Sequence, residues 1–114
     1  MKTDLSWGIV LKGSAYTYRI ERTLVSGTFG ITYLATILSG AGALDGKVHV
    51  CIKEFFMHDV NGREGSAVTA STKNGLWNDY RKKFEREARR LAAIKHPGVV
   101  QVLEAFNQNN TSYY

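Results

Sequence analysis

The first half of the chain has three stretches that are rich in β-branched and aromatic residues and that partly alternate between apolar and polar positions. This pattern is typical of β-strands. The three predicted strands are residues 16–25, 31–38 and 47–55. In the third, alternation places Cys51, Lys53 and Phe55 on one face and Val50 and Ile52 on the other. Runs rich in Gly and Ser connect the strands and predict turns at 26–30 and 39–46.

A helical period follows in the second half of the chain. Asp79 can cap a helix that runs to about Lys95, and Pro97 with Gly98 ends it. At about 100° per residue, the apolar side chains of this helix form one stripe that can face a sheet. The stripe contains Tyr80, Phe84, Ala88, Leu91 and Ile94.

The remaining segments complete the predicted order of elements. Residues 57–78 are polar, and we expect a long excursion with little regular structure. A fourth strand is predicted at 99–106, a turn at 107–110 and the start of a fifth strand at 111–114. The order β-β-β-α-β-β predicts an α+β fold, a five-stranded antiparallel sheet with one long covering helix. Residues 1–15 are then an N-terminal extension, and 16–114 are the domain.

Length and composition limit the class of protein. With 114 residues, 44% of them apolar, the chain can form one domain with a modest core and does not have the composition of a disordered protein. Cys51 is the single cysteine, so an internal disulfide is excluded, and the three histidines show no metal-ligand spacing. No apolar run is long enough for a signal peptide or a membrane span. We expect a soluble cytoplasmic domain with no metal site.

The net charge of +5 comes from one segment of the chain. Residues 81–95 contain seven basic and two acidic residues, and the rest of the chain carries eight of each sign. On the helix, the basic side chains fall opposite the apolar stripe. The simplest interpretation of these side chains is that they form a face of the helix exposed to water. A nucleic-acid-binding face is the alternative, but cations and aromatic residues do not interleave as a stacking platform requires. We therefore expect no nucleic-acid partner.

Glu87 falls inside the apolar stripe of the predicted helix. A carboxylate directed toward a core needs a cation or several donors, and Lys53 on the neighbouring strand is a candidate. The alternative is that Glu87 lies at the edge of the stripe and reaches water. Helical geometry alone leaves both open.

The link 26–30 also has two interpretations. One is an ordinary hairpin turn in which Gly27 and Gly30 supply backbone freedom. The other is a flap whose backbone N–H groups close over phosphates. Lys53 taken singly is more often a surface lysine than a phosphate ligand.

The order of these motifs resembles the N-terminal lobe of a protein kinase, and is most similar to bacterial Ser/Thr-type kinases. The resemblance covers nearly the whole chain, from about Tyr16 to Tyr114. It is carried by the runs Ser-Gly-Thr-Phe-Gly-Ile-Thr-Tyr-Leu-Ala (26–35), Ile-Lys-Glu-Phe-Phe (52–56) and His-Pro-Gly-Val-Val (96–100), together with Glu87.

The resemblance implies an ATP-binding lobe that works with Mg²⁺. Lys53 matches the lysine that contacts the α- and β-phosphates, and Glu87 matches the glutamate that pairs with it. Gly27 and Gly30 match two glycines of the phosphate-covering loop, with Phe29 at its tip. Other implied nucleotide-binding positions are Leu24, Val25, Ser26, Thr28, Thr32 and Cys51.

Two positions depart from the family pattern. Val25 stands where the first loop glycine is usual, which predicts a stiffer loop and a lower nucleotide affinity. Thr32 replaces the usual valine, with little expected effect. Cys51 is expected to be a small buried side chain rather than a reactive thiol.

The sequence contains neither a His-Arg-Asp catalytic loop nor an Asp-Phe-Gly metal motif. The resemblance therefore implies a fragment of a longer kinase that transfers the ATP γ-phosphate to hydroxyls of protein substrates, and that is inactive alone. The alternative is a pseudokinase or a non-catalytic interaction module. Because the cut leaves a sheet edge and an apolar face uncovered, we also expect a homodimer or an exchange of elements between chains.

Overall fold

A computed structural model describes residues 3–40, 48–58, 61–69, 75–98 and 101–114 of the chain. These residues form eight strands and one helix. The elements are β1 (Val10–Lys12), β2 (Tyr16–Ser26), β3 (Gly30–Gly40), β4 (His49–Phe55), β5 (Gly62–Glu64), β6 (Ala67–Thr69), α1 (Gly75–Ala92), β7 (Phe106–Gln108) and β8 (Thr111–Tyr113).

Six of the described strands form one antiparallel sheet in the order β1-β2-β3-β4-β8-β7. The α+β class is confirmed, but the predicted count of five strands is wrong. The additional strand is β1, which lies in the segment expected to be an extension and pairs with β2 from Val10↔Arg19 to Lys12↔Thr17. Leu11 in its centre is fully buried, so this short strand belongs to the core.

The sheet curls until its two edge strands meet, and it is nearly a closed barrel. Lys12 on β1 donates its backbone N–H to Oε1 of Gln108 on β7 at 2.6 Å, and Nε2 of Gln108 donates to the carbonyl of Val10 at 3.5 Å. The side-chain amide of Gln108 thus joins β1 to β7 in place of the backbone hydrogen bonds that pair neighbouring strands. Beside it, the carboxylate of Glu104 accepts hydrogen bonds from the backbone N–H groups of Ser14, Ala15 and Tyr16 and from the hydroxyl of Tyr18.

The helix begins and ends earlier than predicted. It spans Gly75–Ala92, so Asp79 lies inside it and is not its N-cap. The first turn is held by Trp77, which is buried and donates its indole N–H to Oδ1 of Asn61 at 3.0 Å. Ile94, expected on the apolar stripe, lies beyond the helix end and is 37% exposed.

The strand predicted at 99–106 is wrong for residues 101–105, which form no strand; residues 99–100 lie outside the described residues. Glu104 explains the difference, because its contacts with the β1–β2 turn draw this segment out of the sheet. The predicted turn at 107–110 narrows to Asn109 and Asn110, with φ of 54° and 59°. Two successive positive φ values are typical of a tight type I′ hairpin turn, which Asn tolerates.

The polar excursion 57–78 contains more regular structure than expected. Its described part holds the hairpin β5–β6 and the first turn of α1. The hairpin contacts the β7–β8 turn, where Val68 donates its N–H to the carbonyl of Asn109 at 2.7 Å. Residues 59–60 and 70–74 of the excursion, and 41–46 of the predicted 39–46 turn, lie outside the described residues.

The inside of the barrel holds an ion pair that the sequence analysis does not predict. Glu54 on β4 is fully buried, and Arg63 on β5 forms two hydrogen bonds with its carboxylate, at 2.6 and 3.2 Å. Nε of Arg63 also donates to the carbonyl of Thr3 at 2.6 Å, and Nη1 donates to the carbonyl of Ser66 at 2.9 Å. The pair therefore joins β4, the inserted hairpin and the N-terminal segment.

Two tyrosine hydroxyls complete the environment of Glu54. Tyr33 on β3 donates to Oε1 at 2.7 Å, and Tyr113 on β8 donates to Oε2 at 2.6 Å. Burial is the main cause that raises the pKa of each phenol well above the usual range for tyrosine, and the negative charge of Glu54 is the second. The carboxylate thus has four donors, which is what a charge in a low-dielectric interior requires.

A second, smaller apolar cluster lies between the sheet and α1. Phe55 packs against Trp77 and Phe84, and Tyr80 and Tyr114 cover its edge. This cluster fixes the helix over the strand that carries Lys53.

The buried ion pair can be tested by Arg63→Ala. The substitution leaves Glu54 charged and uncompensated inside the barrel, so we expect a loss of about 3–5 kcal/mol in the free energy of unfolding, measured by chemical denaturation. The matched control is Arg19→Ala, which removes the partner of Glu21 in an ion pair whose side chains are 38% and 20% exposed. That change should cost less than about 1 kcal/mol. Equal losses in the two variants would contradict the role given to Arg63.

Candidate functional site

Lys53 lies on β4, on the face opposite the buried carboxylate of Glu54. Alternation along β4 directs Ile52 and Glu54 into the barrel, and Cys51 and Lys53 to the other side. The register pairs Lys53 with Thr32 of β3. The ion pair in the core therefore fixes the strand whose outer face carries the lysine.

A cavity of about 930 Å³ lies against this face of the sheet, within the size range of small-molecule sites. On the sheet it is lined by Thr32, Leu34, Cys51 and Lys53, and residues 101–104 line it as well. Leu91 and Tyr114 also line it. The lining is mostly apolar with a few polar groups, among them the Lys53 ammonium, which suits a ligand that has an apolar part and an anionic part.

Lys53, which lines this cavity, lies beside Glu87 of α1. Nζ of Lys53 is 3.8 Å from Oε1 of Glu87, and their side chains are 40% and 52% exposed. Both interpretations of Glu87 hold in part, because its carboxylate faces the lysine and still reaches solvent. An ion pair this exposed stabilises the fold by no more than about 1 kcal/mol. The main consequence of the pair is that it holds the Lys53 ammonium at the cavity.

Tyr114, just after β8, is a further partner of Glu87. Its hydroxyl donates to Oε1 of Glu87 at 2.7 Å, and its ring centroid is 4.9 Å from that of Phe84. Burial of the phenol, and after it the hydrogen bond to Glu87, raises the pKa of Tyr114.

The loop between β2 and β3 lies close to the end of β4. The N–H of Gly27 donates to the carbonyl of Gly30 at 2.8 Å, which closes the turn. The carbonyls of Phe29 and Thr28 accept hydrogen bonds from the N–H groups of Phe56 and His58, both at 3.2 Å. The loop is therefore held down on the strand that carries Lys53.

Two side-chain contacts add to this arrangement. The ring of Phe29 stacks on Tyr80 of α1 at 4.8 Å between centroids, and Oγ of Ser26 lies 3.0 Å from Nε2 of His58. The loop tip thus contacts the same helix that carries Glu87.

Gly30, at the start of β3, is the position where an added side chain would be crowded by the site. A Cβ there would lie 3.2 Å from the carbonyl oxygen of Glu54 and 3.3 Å from Cε of Lys53. At Gly27, the nearest atom to such a Cβ is the carbonyl oxygen of Gly30 at 3.8 Å, an ordinary contact. The two glycines thus differ in how closely they confine the lysine.

The remaining sequence-predicted residues divide into two groups. Thr32 and Cys51 line the cavity, but Cys51 is exposed, so the expectation of a buried thiol is wrong. Its neighbour across the strands is Leu34, and the cavity leaves that face of β4 uncovered. Leu24 and Val25 lie near the end of β2, 36% and 63% exposed, and do not line this cavity.

Sequence reasoning missed the contacts that depend on tertiary packing. These are Tyr114 beside Glu87, Tyr80 beneath Phe29, His58 beside Ser26 and the part of the cavity lining formed by 101–104. The helical period places Tyr80 on the apolar stripe, and no sequence signal distinguishes a core aromatic residue from one that also stacks on a loop tip.

The outer face of α1 is basic, as predicted. Lys82, Lys83, Arg86, Arg89 and Arg90 are all exposed. Arg81 differs, because its Nε donates to Oγ of Ser112 at 2.9 Å and its guanidinium lies over the ring of Trp77.

Two kinds of feature are absent from the described ranges. Within them, no three His, Cys, Asp or Glu side chains are grouped so that they could hold a metal ion. Over the same ranges, no helical segment combines the length and the apolar character that crossing a bilayer requires.

No protein-family model and no curated protein matches the chain. Among solved structures, the chain is similar to one titled "PpkA-294 apo form", with a TM-score of 0.77 and 24% sequence identity over 98% of this chain. This chain spans 37% of the length of that one. At this identity the likeness shows the fold alone, a mostly sheet α+β fold with one helix, like the N-terminal lobe of a kinase.

The confinement of Lys53 by the loop can be tested with a pair of glycine substitutions. Gly30→Ala forces the new methyl group against Lys53 and the backbone of Glu54, so we expect a loss of about 1 kcal/mol in the free energy of unfolding. NMR of the Lys53 side chain should also show a changed environment. Gly27→Ala should change neither quantity appreciably. Equal responses of the two variants would show that the close approach at Gly30 is unimportant.

Proposed function

We propose that this chain is the nucleotide-binding lobe of a Ser/Thr-type protein kinase. The observation that carries the proposal is the position of the Lys53 ammonium, 3.8 Å from Glu87, in the wall of a cavity beside a glycine-containing loop. The fold supports it, since the likeness to a solved structure extends over 98% of the chain.

In the proposed function, ATP enters the cavity with its adenine against the sheet. Thr32 and Cys51 would contact the base from the sheet. Lys53 would bind the α- and β-phosphates through its ammonium, and Glu87 would hold that ammonium in place. A lysine whose ammonium is fixed by a carboxylate gives a phosphate a positioned cation without the entropy loss of ordering a free side chain.

The loop 26–30 would lie over the triphosphate. Its glycine-containing backbone can approach phosphate oxygens closely, and backbone N–H groups are suitable anion donors. Val25 is 63% exposed at the start of the loop, so its side chain has room and does not block the turn. We propose that Val25 lowers nucleotide affinity through backbone stiffness rather than through a collision.

The reaction itself would need residues beyond those described here. A substrate hydroxyl attacks the γ-phosphorus, the bond to the β,γ-bridging oxygen breaks, and ADP leaves with that oxygen. When bound, Mg²⁺ neutralises the charge of the phosphates. The chain lacks the motifs that hold Mg²⁺ and accept the hydroxyl proton, so we propose that a second lobe of a longer protein supplies them.

The proposal can be tested by Lys53→Met in the full-length protein. Methionine keeps the length of the side chain and removes the charge, so phosphoryl transfer should fall at least about a hundredfold. Stability should change little, because the ion pair with Glu87 is exposed. The measurement is kcat for transfer of the γ-phosphate to a protein substrate, with the denaturation midpoint as the check on folding.

Lys82→Met is the matched control, since Lys82 lies on the exposed basic face of α1. It should leave turnover unchanged. Near-normal turnover of Lys53→Met would overturn the proposed role of Lys53. Nucleotide binding without turnover in the unsubstituted protein would favour the pseudokinase alternative.

A further inference from the structure

Tyr113 and Tyr114 are neighbours in sequence, and they serve opposite faces of the sheet. Tyr113 directs its hydroxyl into the barrel, to Glu54, whereas Tyr114 directs its hydroxyl to Glu87 on α1. Across the strands, the same alternation separates Glu54 from Lys53. The dipeptides Lys53-Glu54 and Tyr113-Tyr114 therefore place Glu54 and Tyr113 together inside the barrel. They place Lys53 and Tyr114 together at the candidate site outside it.

Tyr114 is fixed directly to Lys53 through the backbone. The N–H of Lys53 donates to the carbonyl of Tyr114 at 2.7 Å, and the N–H of Tyr114 donates to the carbonyl of Lys53 at 3.0 Å. Such a pair of reciprocal hydrogen bonds places the two side chains opposite each other. The position of the tyrosine is thus set by the strand that carries the lysine.

The side chain of Tyr114 contacts both members of the ion pair. Its hydroxyl is 2.7 Å from Oε1 of Glu87, and the ammonium of Lys53 is 5.8 Å from its ring centroid. Phe84, one helical turn before Glu87, packs on the same ring at 4.9 Å. The tyrosine therefore links the lysine, the glutamate and the helix.

For Glu87, the contact with the Tyr114 hydroxyl is shorter and more directional than the contact with Lys53. The Lys53–Glu87 distance of 3.8 Å is long for a hydrogen bond, and both side chains are about half exposed. A hydrogen bond to an ionised carboxylate is about twice as strong as a neutral one. The raised pKa of Tyr114 agrees with a phenol that donates to this carboxylate and resists ionisation.

We infer that Tyr114 is a positioning residue that orients the carboxylate of Glu87 and, through it, the ammonium of Lys53 for binding of the nucleotide phosphates. This inference rests on the proposed function. It adds to the lysine–glutamate pair a third group, which no sequence motif marks as part of the site.

The first experiment tests the contact itself, independently of any nucleotide. The chain is labelled with ¹³Cζ-tyrosine, and the signal of Tyr114, assigned by its loss in Tyr114→Phe, is followed as pH is raised. Glu87→Gln removes the negative acceptor, so Tyr114 should ionise at a lower pH than in the unsubstituted chain. An unchanged titration of Tyr114 would overturn the inference.

The second experiment tests positioning, in the full-length protein. Tyr114→Phe keeps the ring against Phe84 and removes only the hydroxyl, so kcat/KM for ATP should fall about tenfold. In a Glu87→Gln background the same substitution should have almost no further effect, because the hydroxyl acts through that carboxylate. Additive losses in the double variant would overturn the inference.

Tyr113→Phe is the matched control, one residue away and on the opposite face. It removes a hydroxyl bound to Glu54, so it should lower the denaturation midpoint and leave kcat/KM for ATP near its original value. Equal losses of kcat/KM in both variants would mean that Tyr114 has only a structural role. If the unsubstituted protein shows no nucleotide-dependent activity while the titration responds to Glu87→Gln, the proposed function fails and positioning fails with it, although the hydrogen bond stands.

Discussion

The structure depends on how one charged residue, Glu54, is accommodated inside the barrel. A fully buried carboxylate without partners costs several kcal/mol, so the fold must bring donors to it. Arg63 comes from the inserted hairpin, and the two tyrosine hydroxyls come from β3 and β8. Such a pair adds little net stability compared with apolar packing, and its main consequence is that alternative arrangements leave a charge unpaired. We interpret the network as what selects the register of β4.

Because side chains alternate along β4, the register that Glu54 selects also determines the face on which Lys53 lies. Glu54 must point inward, so Lys53 must point outward, and a slip of one residue would exchange them. The same holds on β8, where Tyr113 enters the barrel and Tyr114 faces α1. The position of the lysine is therefore set by the core, while the exposed ion pair with Glu87 adds little to folding.

The parts that could be predicted from the sequence are those governed by local periodicity. Alternation predicted β2, β3 and β4 to within a few residues, and the apolar stripe predicted which side of α1 faces the sheet, with Phe84 and Ala88 buried. The lysine and the glutamate could be placed on facing elements for the same reason. Contacts between distant segments could not be predicted: Leu11, Arg63 and Gln108 act on partners far along the chain. Residues 101–105 have strand propensity, but the carboxylate of Glu104 binds the β1–β2 turn instead.

Helix α1 connects the two halves of the candidate site. Tyr80 and Glu87 are two helical turns apart, so they lie on nearly the same face. One stacks on Phe29 at the loop tip, and the other accepts the hydroxyl of Tyr114 and faces Lys53. A rigid displacement of the helix away from the sheet must loosen both contacts together, because each joins the helix to a group fixed on the barrel. The packing of Trp77 and Phe84 on Phe55 opposes such a displacement, because it would expose buried aromatic surface. The helix thus stays over the strand through its apolar cluster, and the exposed contacts of Glu87 act only on the position of the carboxylate relative to Lys53.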